Sequence, residues 1–385
     1  MRIELPYGRA PYLLALDGRR VTVIDPPTMP APPPPLASML EIALSAPIDA
    51  PPLRSLAAGA RRITIIVSDA TRAEPRAELL AALTPHLPPT AQLTVAIATG
   101  THGPATDLAA LGLPSSLEAT IVNHDGHRPD DLVSIGTTAR GTPVRVHRCV
   151  AETDLVIATG CIRPHYFAGF GAGVKAIFPG LGEAAAIRTT HALKTAPGSR
   201  AGIVDGTPSR EDLEEAVAHV PTPTFLLNGV AGPDGNLHAV VAGNLRTAFR
   251  AGADLARTWF TVRSPTSSIV IASDVLPVTA SLYQAAKICA AVAPVVGPGG
   301  VLILAAECPD GIGPLPVVNE AIFRIGVLPR LAQGVTIHLV SSLSPSKVAC
   351  TLTEYAPSID SVLARHPGPV TIFPRASQLL VEVTP

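Results

Sequence analysis

Short apolar runs alternate with Ala- and Leu-rich segments of helical character along most of the chain. The first three clear runs are Ile63–Val67, Leu93–Ala98 and Leu155–Ala158, and all three have strand character. Strands that alternate with helical patterns are typical of βαβ units. The pattern therefore predicts an α/β protein with mainly parallel sheets.

A polar cluster follows each of these strands. The clusters are Ser68–Arg72, Thr99–His102 and Thr159–His165. In open α/β sheets ligands bind beyond the carboxyl ends of the strands. We therefore expect the three clusters to converge on one crevice.

The strand pattern resumes after a candidate linker helix, Leu245–Phe260, and a polar break at 263–268. The later runs are Ser268–Ala272, Val301–Ala305, Val335–Val340 and Val370–Phe373. At 385 residues the chain exceeds the usual size of a single core. We expect an N-terminal α/β domain over 1–260 and a smaller α/β domain over 261–385 that closes an active-site cleft between the two. Roughly the last 15 residues are expected to return to the first domain.

Composition narrows the classes of partner. The net charge is −1, which gives no overall attraction to nucleic acid or to an anionic membrane, so a small-molecule partner is favoured. The N-terminal sequence MRIELPYG lacks the features of a signal peptide, and no apolar stretch reaches the roughly 18 residues that a spanning helix needs. We expect a cytoplasmic protein without nucleic-acid or membrane partners; the sequence leaves the oligomeric state open.

The most unusual segment is the glycine-rich run over 164–180, which has His165 near its start and Lys175 near its end. Gly169, Gly171 and Gly173 predict a backbone that a ligand approaches closely. The run does not satisfy the phosphate-loop pattern GxxxxGK[ST] and lacks the spacing of a dinucleotide-binding fingerprint. Nucleoside triphosphates and NAD are therefore disfavoured.

Lysine is rare in this chain, since only Lys175, Lys194, Lys287 and Lys347 occur among 29 basic residues. A lysine beside an apolar wall could anchor a carbonyl-type cofactor covalently. The alternative is a surface lysine at the start of a helix. The sequence leaves both interpretations open for Lys175.

Histidines suggest proton transfer. His102 and His165 both follow strands among small residues, and two neutral imidazoles that face one cleft could exchange protons with a substrate. With His191, on the helical stretch AAAIRTTHALK, they could instead form a three-histidine zinc site, although the sequence has no HExxH, HxH or CxxC spacing. A zinc-dependent hydrolase is therefore an alternative function.

Two further groups could bind a substrate. Asp69 and Arg72 follow the first strand, where arginine can bind a carboxylate with two hydrogen bonds. Their alternative role is a helix N-cap with an ion pair. In the second domain, Tyr283, Gln284 and Lys287 belong to a predicted helix, and the i, i+4 spacing places Tyr283 and Lys287 on one face.

Taken together, these motifs resemble the lactate racemase family, the nickel-pincer 2-hydroxyacid racemases and epimerases, over nearly the whole chain. The resemblance is carried by Ser68–Arg72, Gly100–His102, Pro164–Gly180, His191 and Leu282–Lys287. It implies a pyridinium-derived nickel-pincer nucleotide tethered at Lys175, with His191 as the protein ligand to nickel. The glycines Gly169, Gly171 and Gly173 would form the cofactor cradle.

The resemblance also implies the remaining roles. His102 and His165 match the paired acid/base residues, and Arg72 and Lys287 match positions that hold the substrate carboxylate or neighbouring anions. Asp69, Tyr283 and Gln284 match positions that shape the site. The implied reaction is racemisation through a 2-keto acid, by hydride transfer to and from the cofactor, which enzymes of cofactor synthesis would supply. A cofactor-binding or nickel-storage protein without turnover is the non-enzymatic alternative.

The chain departs from the family pattern at Gly103, where the family often has arginine after Gly-Thr-His. The glycine run reads Gly-Ala-Gly-Val-Lys, whereas Ser-Gly-Gly-Ala-Lys is the more familiar form. Arg163, two residues before His165, could offset the missing cation. It would then favour a substrate with a second carboxylate or a polyhydroxy tail.

Overall fold

The computed structural model describes residues 2–114, 117–196 and 198–384. Contacts divide the chain into two compact units, Met29–Trp259 and Met1–Thr28 with Phe260–Pro385. This division differs from the expected one in placing residues 1–28 with the C-terminal part of the chain.

The chain begins with strands β1 (Arg2–Leu5), β2 (Tyr12–Ala15) and β3 (Val21–Val23). The first two pair as an antiparallel hairpin. Leu5 and Leu14 are buried in the same apolar cluster as Ile271 and Ile303. Burial of these leucines explains why the N-terminal segment belongs with the C-terminal residues.

The unit Met29–Trp259 contains a sheet and the helices around it. Its elements are α1 (Leu36–Ser45), α2 (Leu53–Ala57), β4 (Arg62–Ser68), α3 (Arg76–Leu83), β5 (Gln92–Ala98), β6 (Thr120–Asn123), β7 (Leu132–Thr137), β8 (Pro143–His147), α4 (Arg148–Ala151), β9 (Leu155–Ile162), β10 (Pro164–His165), β11 (Gly169–Phe170), α5 (Ala184–Ala192), α6 (Pro208–Ala218), β12 (Thr224–Ala231), β13 (Leu237–Gly243) and α7 (Thr247–Phe260). Helix α7 confirms the predicted helix before the second set of strands, although it begins two residues later.

The strand order in this sheet is β13-β12-β9-β4-β5-β6. All neighbours are parallel except β12 and β13. The residues of β4 from Ile63 to Val67 are buried without alternation, which is typical of a parallel strand covered on both faces. The three predicted strands are confirmed, but β9 continues to Ile162, so the third polar cluster begins inside the strand.

The other unit adds to β1–β3 the elements β14 (Thr261–Ser264), β15 (Ser267–Ala272), α8 (Leu282–Val292), β16 (Val296–Ala305), a π-helical segment (Val317–Val327), β17 (Thr336–Val340), α9 (Pro345–Val348), β18 (Glu354–Tyr355), α10 (Ile359–Leu363), β19 (Val370–Phe373) and β20 (Leu380–Val383). Its main sheet, in the order β18-β17-β16-β15-β19-β3, is parallel throughout. The predicted α/β class with mainly parallel sheets is confirmed.

The last strand does not join the sheet of the first unit. Strand β20 pairs in parallel with β14, and Leu379 is buried in the core of the C-terminal unit. The end of the chain therefore stays with residues 260–385, unlike the expected return to the first domain.

Short 3₁₀ segments connect these elements at Thr84–His86, Ala109–Leu111, Pro129–Asp131, Gly173–Ala176, Leu193–Thr195, Val278–Ala280, Ala293–Val295, Leu328–Arg330 and Ala376–Gln378. Within the described ranges, no helix has both the length and the apolar character required to cross a bilayer. The five cysteines form no disulfide.

Candidate active site

The three polar clusters lie at one edge of the sheet in the unit Met29–Trp259. Strands β9, β4 and β5 are neighbours and run parallel, so their carboxyl ends lie side by side. The loops that follow them carry His165, Asp69 and His102. The three clusters therefore lie side by side along this edge, and their convergence on one crevice stays a prediction.

The closest link between two clusters is the contact of His102 with Asp69. Nδ1 of His102 lies 2.9 Å from Oδ2 of Asp69. The other carboxylate oxygen accepts hydrogen bonds from the backbone N–H of Thr71, at 2.8 Å, and from its hydroxyl. Burial raises the pKa of Asp69, but the hydrogen bonds from His102 and Thr71 outweigh it and lower the pKa to about 2. Asp69 is therefore a carboxylate that fixes the orientation of the His102 ring.

The turn that carries Asp69 and Arg72 is held by Arg76, a residue outside the motifs identified from the sequence. Its guanidinium donates to the carbonyl oxygens of Ser68, at 2.8 Å, of Asp69, and of Arg72, at 2.7 Å. Helix α3 begins only at Arg76. The alternative role of Asp69 as a helix N-cap is therefore not what the structure shows.

The glycine-rich run folds into a tight hairpin and a 3₁₀ turn. Pro164 and His165 of β10 pair with Phe170 and Gly169 of β11, and Lys175 lies in the 3₁₀ turn Gly173–Ala176. Nζ of Lys175 lies 3.4 Å from Nε2 of His165. The lysine and histidine that frame the run in sequence are thus neighbours in space.

Lys175 has an environment that disfavours a charged amine. Burial, together with the positive charges of Arg210 and Arg72, lowers the pKa of Lys175 to about 7. A neutral amine is the nucleophilic form of lysine. Of the two interpretations of Lys175, the surface lysine at a helix start is not supported.

Packing within the protein accounts for two of the three glycines. Gly169 and Gly173 both have positive φ, 71° and 64°. A Cβ atom at Gly169 would lie 2.0 Å from the carbonyl oxygen of Ile203, and one at Gly173 would lie 2.6 Å from the ring of Phe249. At Gly171 the nearest atoms are 3.8 Å away. Contact of these glycines with a cofactor stays a prediction.

His191 lies in the last turn of α5. Burial, with the charges of Lys175 and Lys194, lowers the pKa of His191 to about 3, so its imidazole is neutral at physiological pH. A neutral imidazole is the form that binds a metal ion. The residue thus has the chemistry that a nickel ligand needs.

The three histidines do not assemble into a zinc site. In the part of the chain that the structure describes, no group of three or more His, Cys, Asp or Glu side chains could hold a metal ion. The three-histidine site therefore gains no support.

Phe167 lies at the centre of this arrangement and was not identified from the sequence. Its ring is nearly completely buried and packs edge-on against His165, at 4.6 Å between centroids, and against His191, at 5.3 Å. Nζ of Lys175 is 5.4 Å from the same ring. An aromatic residue inside a glycine-rich run was the only available signal.

Two buried polar residues, Asn228 and Arg210, contact the backbone next to Lys175. Oδ1 of Asn228 accepts a hydrogen bond from the backbone N–H of Gly173 at 3.0 Å. Arg210 has no exposed surface, and its Cζ atom lies 3.7 Å from the centroid of the Phe249 ring. Both residues come from elements distant in sequence, so local motifs could not reveal them.

The remaining predicted residues belong to the other unit. Tyr283, Gln284 and Lys287 lie on α8, as predicted. Nζ of Lys287 donates to Oε1 of Gln284 at 2.6 Å and lies 4.6 Å from the Tyr283 ring centroid. The three side chains share one face of the helix.

Comparisons with known proteins identify relatives of this chain. Residues 7–202 match the model of the lactate racemase N-terminal domain. The chain is 30% identical over 322 residues to lactate racemase of Thermoanaerobacterium thermosaccharolyticum, which covers 81% of this chain and 75% of that protein. It is 29% identical to lactate racemase of Lactiplantibacillus plantarum, over 71% of this chain and 66% of that protein.

Solved structures extend the similarity to the whole fold. The lactate racemase apoprotein of Thermoanaerobacterium thermosaccharolyticum superimposes with a TM-score of 0.87 at 26% identity, covering 99% of this chain and 100% of that one. A protein from Thermotoga maritima shares the fold at a TM-score of 0.65 and 16% identity, covering 86% of this chain and 96% of that one. The fold and these relatives indicate an isomerase of the racemase class. The chain belongs to the lactate racemase family.

Proposed function

We propose that this protein racemises a lactate-like 2-hydroxy acid with a nickel-pincer nucleotide tethered to Lys175. The observation that carries the proposal is the 3.4 Å separation between Nζ of Lys175 and Nε2 of His165. This short separation supports a tether at Lys175 beside His165 as an acid/base group. When bound, the cofactor would accept the Cα hydrogen of the substrate as hydride and return it.

His102 is suited to take the hydroxyl proton of one enantiomer. Its Nδ1 is engaged by Asp69, which leaves Nε2 as the nitrogen for the substrate. The Asp69 carboxylate stabilises the imidazolium that forms when the proton is taken. Loss of that proton together with hydride leaves a planar 2-keto acid.

His165 is suited to serve the opposite enantiomer. Its Nδ1 accepts a hydrogen bond from the backbone N–H of Ala168 at 3.3 Å, and its Nε2 faces the amine of Lys175. Use of that amine in a tether would leave Nε2 of His165 to the substrate. There an unprotonated Nε2 would take the hydroxyl proton of that enantiomer, and in the reverse direction the imidazolium would return the proton to the keto oxygen, which leaves the ring neutral.

The other predicted residues bind rather than react. The Arg72 guanidinium would pair with the substrate carboxylate. Substrate binding by Lys287, Gln284 and Tyr283, which the family resemblance implies, stays a prediction. His191 would hold nickel through its neutral imidazole. Gly171 is the glycine with space for a ligand, beside Gly169 and Gly173, which shape the turn. Enzymes of cofactor synthesis are the implied protein partners.

Expression with cofactor-synthesis enzymes tests the proposal directly. Intact mass should show an adduct in the wild type, and chiral chromatography should show conversion of L-lactate to D-lactate. Lys175→Ala should lose the adduct, whereas the matched control Lys347→Ala should keep it. An adduct that persists in Lys175→Ala would refute the tether, and an adduct without conversion of lactate would instead fit a cofactor-binding protein.

A further inference from the structure

A cavity of about 400 Å³ opens beside the candidate active site, within the same unit. Four segments form it: the proline-rich stretch before α1, the turn after β4, the end of β9 and the β12–β13 turn. Its walls include Pro33, Leu36, Met39, Ala73, Arg163 and Leu237. None of the roles proposed above uses this cavity.

The strand order places the cavity next to the two histidines. Along the sheet the order is β12, β9, β4, β5, and the cavity lies over the first three strands, whereas His102 follows the fourth. Arg163 is two residues before His165, and Ala73 directly follows Arg72. The cavity and the two histidines therefore lie at the same edge of the sheet.

The charge of the cavity is positive. Arg163 donates from Nη2 to the carbonyl oxygen of Gly235 at 3.2 Å, and no carboxylate among the described residues forms an ion pair with it. Glu74 also lines the cavity, but its side chain has no exposed surface. Its carboxylate accepts hydrogen bonds from Ser68 and pairs with Arg76 at 3.8 Å. Arg163 thus keeps a charge that an anionic ligand can neutralise.

We propose that this cavity binds the tail of the substrate and that Arg163 selects a tail ending in a second carboxylate. The inference rests on the proposed function, because it assigns a substrate class to the same site. Lactate has only a methyl group beyond its hydroxyl-bearing carbon, which leaves the cavity unfilled. The apolar walls suit methylene groups, and a guanidinium binds a carboxylate with charge-assisted hydrogen bonds.

Titration calorimetry on the full chain, made without cofactor-synthesis enzymes, tests this inference apart from turnover. The probes are lactate, 2-hydroxyhexanoate and 2-hydroxyglutarate. We expect 2-hydroxyglutarate to bind about tenfold more tightly than either other acid, since a charged hydrogen bond has that effect or more. Arg163→Met should abolish the preference without changing lactate affinity, and Arg163→Lys should keep part of it.

Two further variants guard against a folding artefact. Ala73→Phe fills the cavity from an exposed loop position and should also abolish the preference, whereas Arg263→Met, an exposed arginine of the other unit, should not. Equal affinities in the wild type, a preference that survives Arg163→Met, or no binding of any acid would overturn the inference.

Turnover separates the two proposals. If 2-hydroxyglutarate binds through Arg163 but the cofactor-loaded protein interconverts no 2-hydroxy acid, the proposed racemase function fails and the binding site stands. If lactate is racemised and Arg163→Met changes neither binding nor turnover of 2-hydroxyglutarate, the function stands and the assignment of Arg163 fails.

Discussion

Nδ1 of His102 and Oδ2 of Asp69 lie 2.9 Å apart, which joins the loops after two adjacent parallel strands. The carboxylate receives further hydrogen bonds from Thr71, so it is held before any substrate arrives. An oriented imidazole is ready to act as a base without losing conformational entropy during the reaction.

Replacement of Asp69 by asparagine should reduce turnover while the fold is kept. The amide removes the charge that stabilises the protonated His102 ring. We expect kcat to fall by about 10²- to 10⁴-fold, the contribution of a positioned acid or base. Initial racemisation rates of the loaded enzyme provide the measurement. Asp254→Asn, at an exposed ion pair, is the control, and unchanged kcat in Asp69→Asn would contradict the assigned role.

Phe167→Leu should impair activity more than stability. The ring contacts His165, His191 and Lys175 together, so a smaller side chain leaves all three less constrained. Small displacements of reacting groups cost up to about 10²-fold in rate. Phe225→Leu removes a similar buried ring from β12 and is the matched control.

The two phenylalanine variants are compared by kcat and by urea unfolding. Both should lose stability, but only Phe167→Leu should lose activity in the folded fraction. An equal loss of activity in Phe225→Leu would show that general destabilisation, rather than placement of the three groups, explains the effect.

The glycines should separate into structural and ligand-facing positions. Gly169→Ala forces a Cβ atom to within 2.0 Å of a backbone oxygen at positive φ, and strain of that kind costs about 1–3 kcal/mol. Gly171→Ala meets no atom closer than 3.8 Å and should leave the free energy of unfolding nearly unchanged. Urea unfolding of both variants checks this.

Gly171→Ala also tests the predicted cradle. If the cofactor lies against Gly171, the variant should form less adduct in intact mass spectra despite normal stability. Full adduct formation in Gly171→Ala would remove this glycine from the cofactor site.

The amine of Lys175 should react unusually fast with an acylating reagent. Burial and the charges of Arg210 and Arg72 lower its pKa to about 7, so much of the amine is neutral near physiological pH. Peptide mass spectrometry after brief acetylation of cofactor-free protein at pH 7.5 should show more label at Lys175 than at Lys347. The reverse order would contradict a neutral amine at this position.

Acid should weaken the fold through His124, which is completely buried beside His147. Burial lowers the pKa of His124 below its ordinary value of 6.5, so the unfolded chain takes up a proton before the folded chain does. The contribution of His124 to stability is therefore complete above pH 6.5 and is lost as the pH falls toward its folded-state pKa. The slope is at most about 1.4 kcal/mol per pH unit.

Urea unfolding between pH 7.5 and 5.5 measures this loss. His124→Gln keeps a donor for the carbonyl oxygen of Gly182, which Nε2 of His124 contacts at 3.0 Å, but does not titrate in this range. We expect a shallower pH dependence in His124→Gln and an unchanged one in the exposed control His127→Gln. Parallel curves for the wild type and His124→Gln would place the acid sensitivity elsewhere.

The class of fold and most members of the candidate site can be predicted from the amino-acid pattern alone. Runs such as Ile63–Val67 are apolar at consecutive positions because parallel strands are covered on both faces, and this pattern is visible without a structure. Polar residues at the ends of such strands meet because the strands run in one direction. Lys175 and His165 were identified because both lie in one glycine-rich run.

The contacts between these groups, and the residues that hold them in place, depend on the three-dimensional fold. Phe167, Arg76 and Arg210 act through neighbours that the fold brings together, and no spacing rule encodes such contacts. The assignment of residues 1–28 also required the structure, because burial of Leu5 and Leu14 depends on a sheet formed mostly by the other end of the chain. The local sequence pattern predicts whether a segment is a helix or a strand, whereas long-range packing determines where that element lies in the fold.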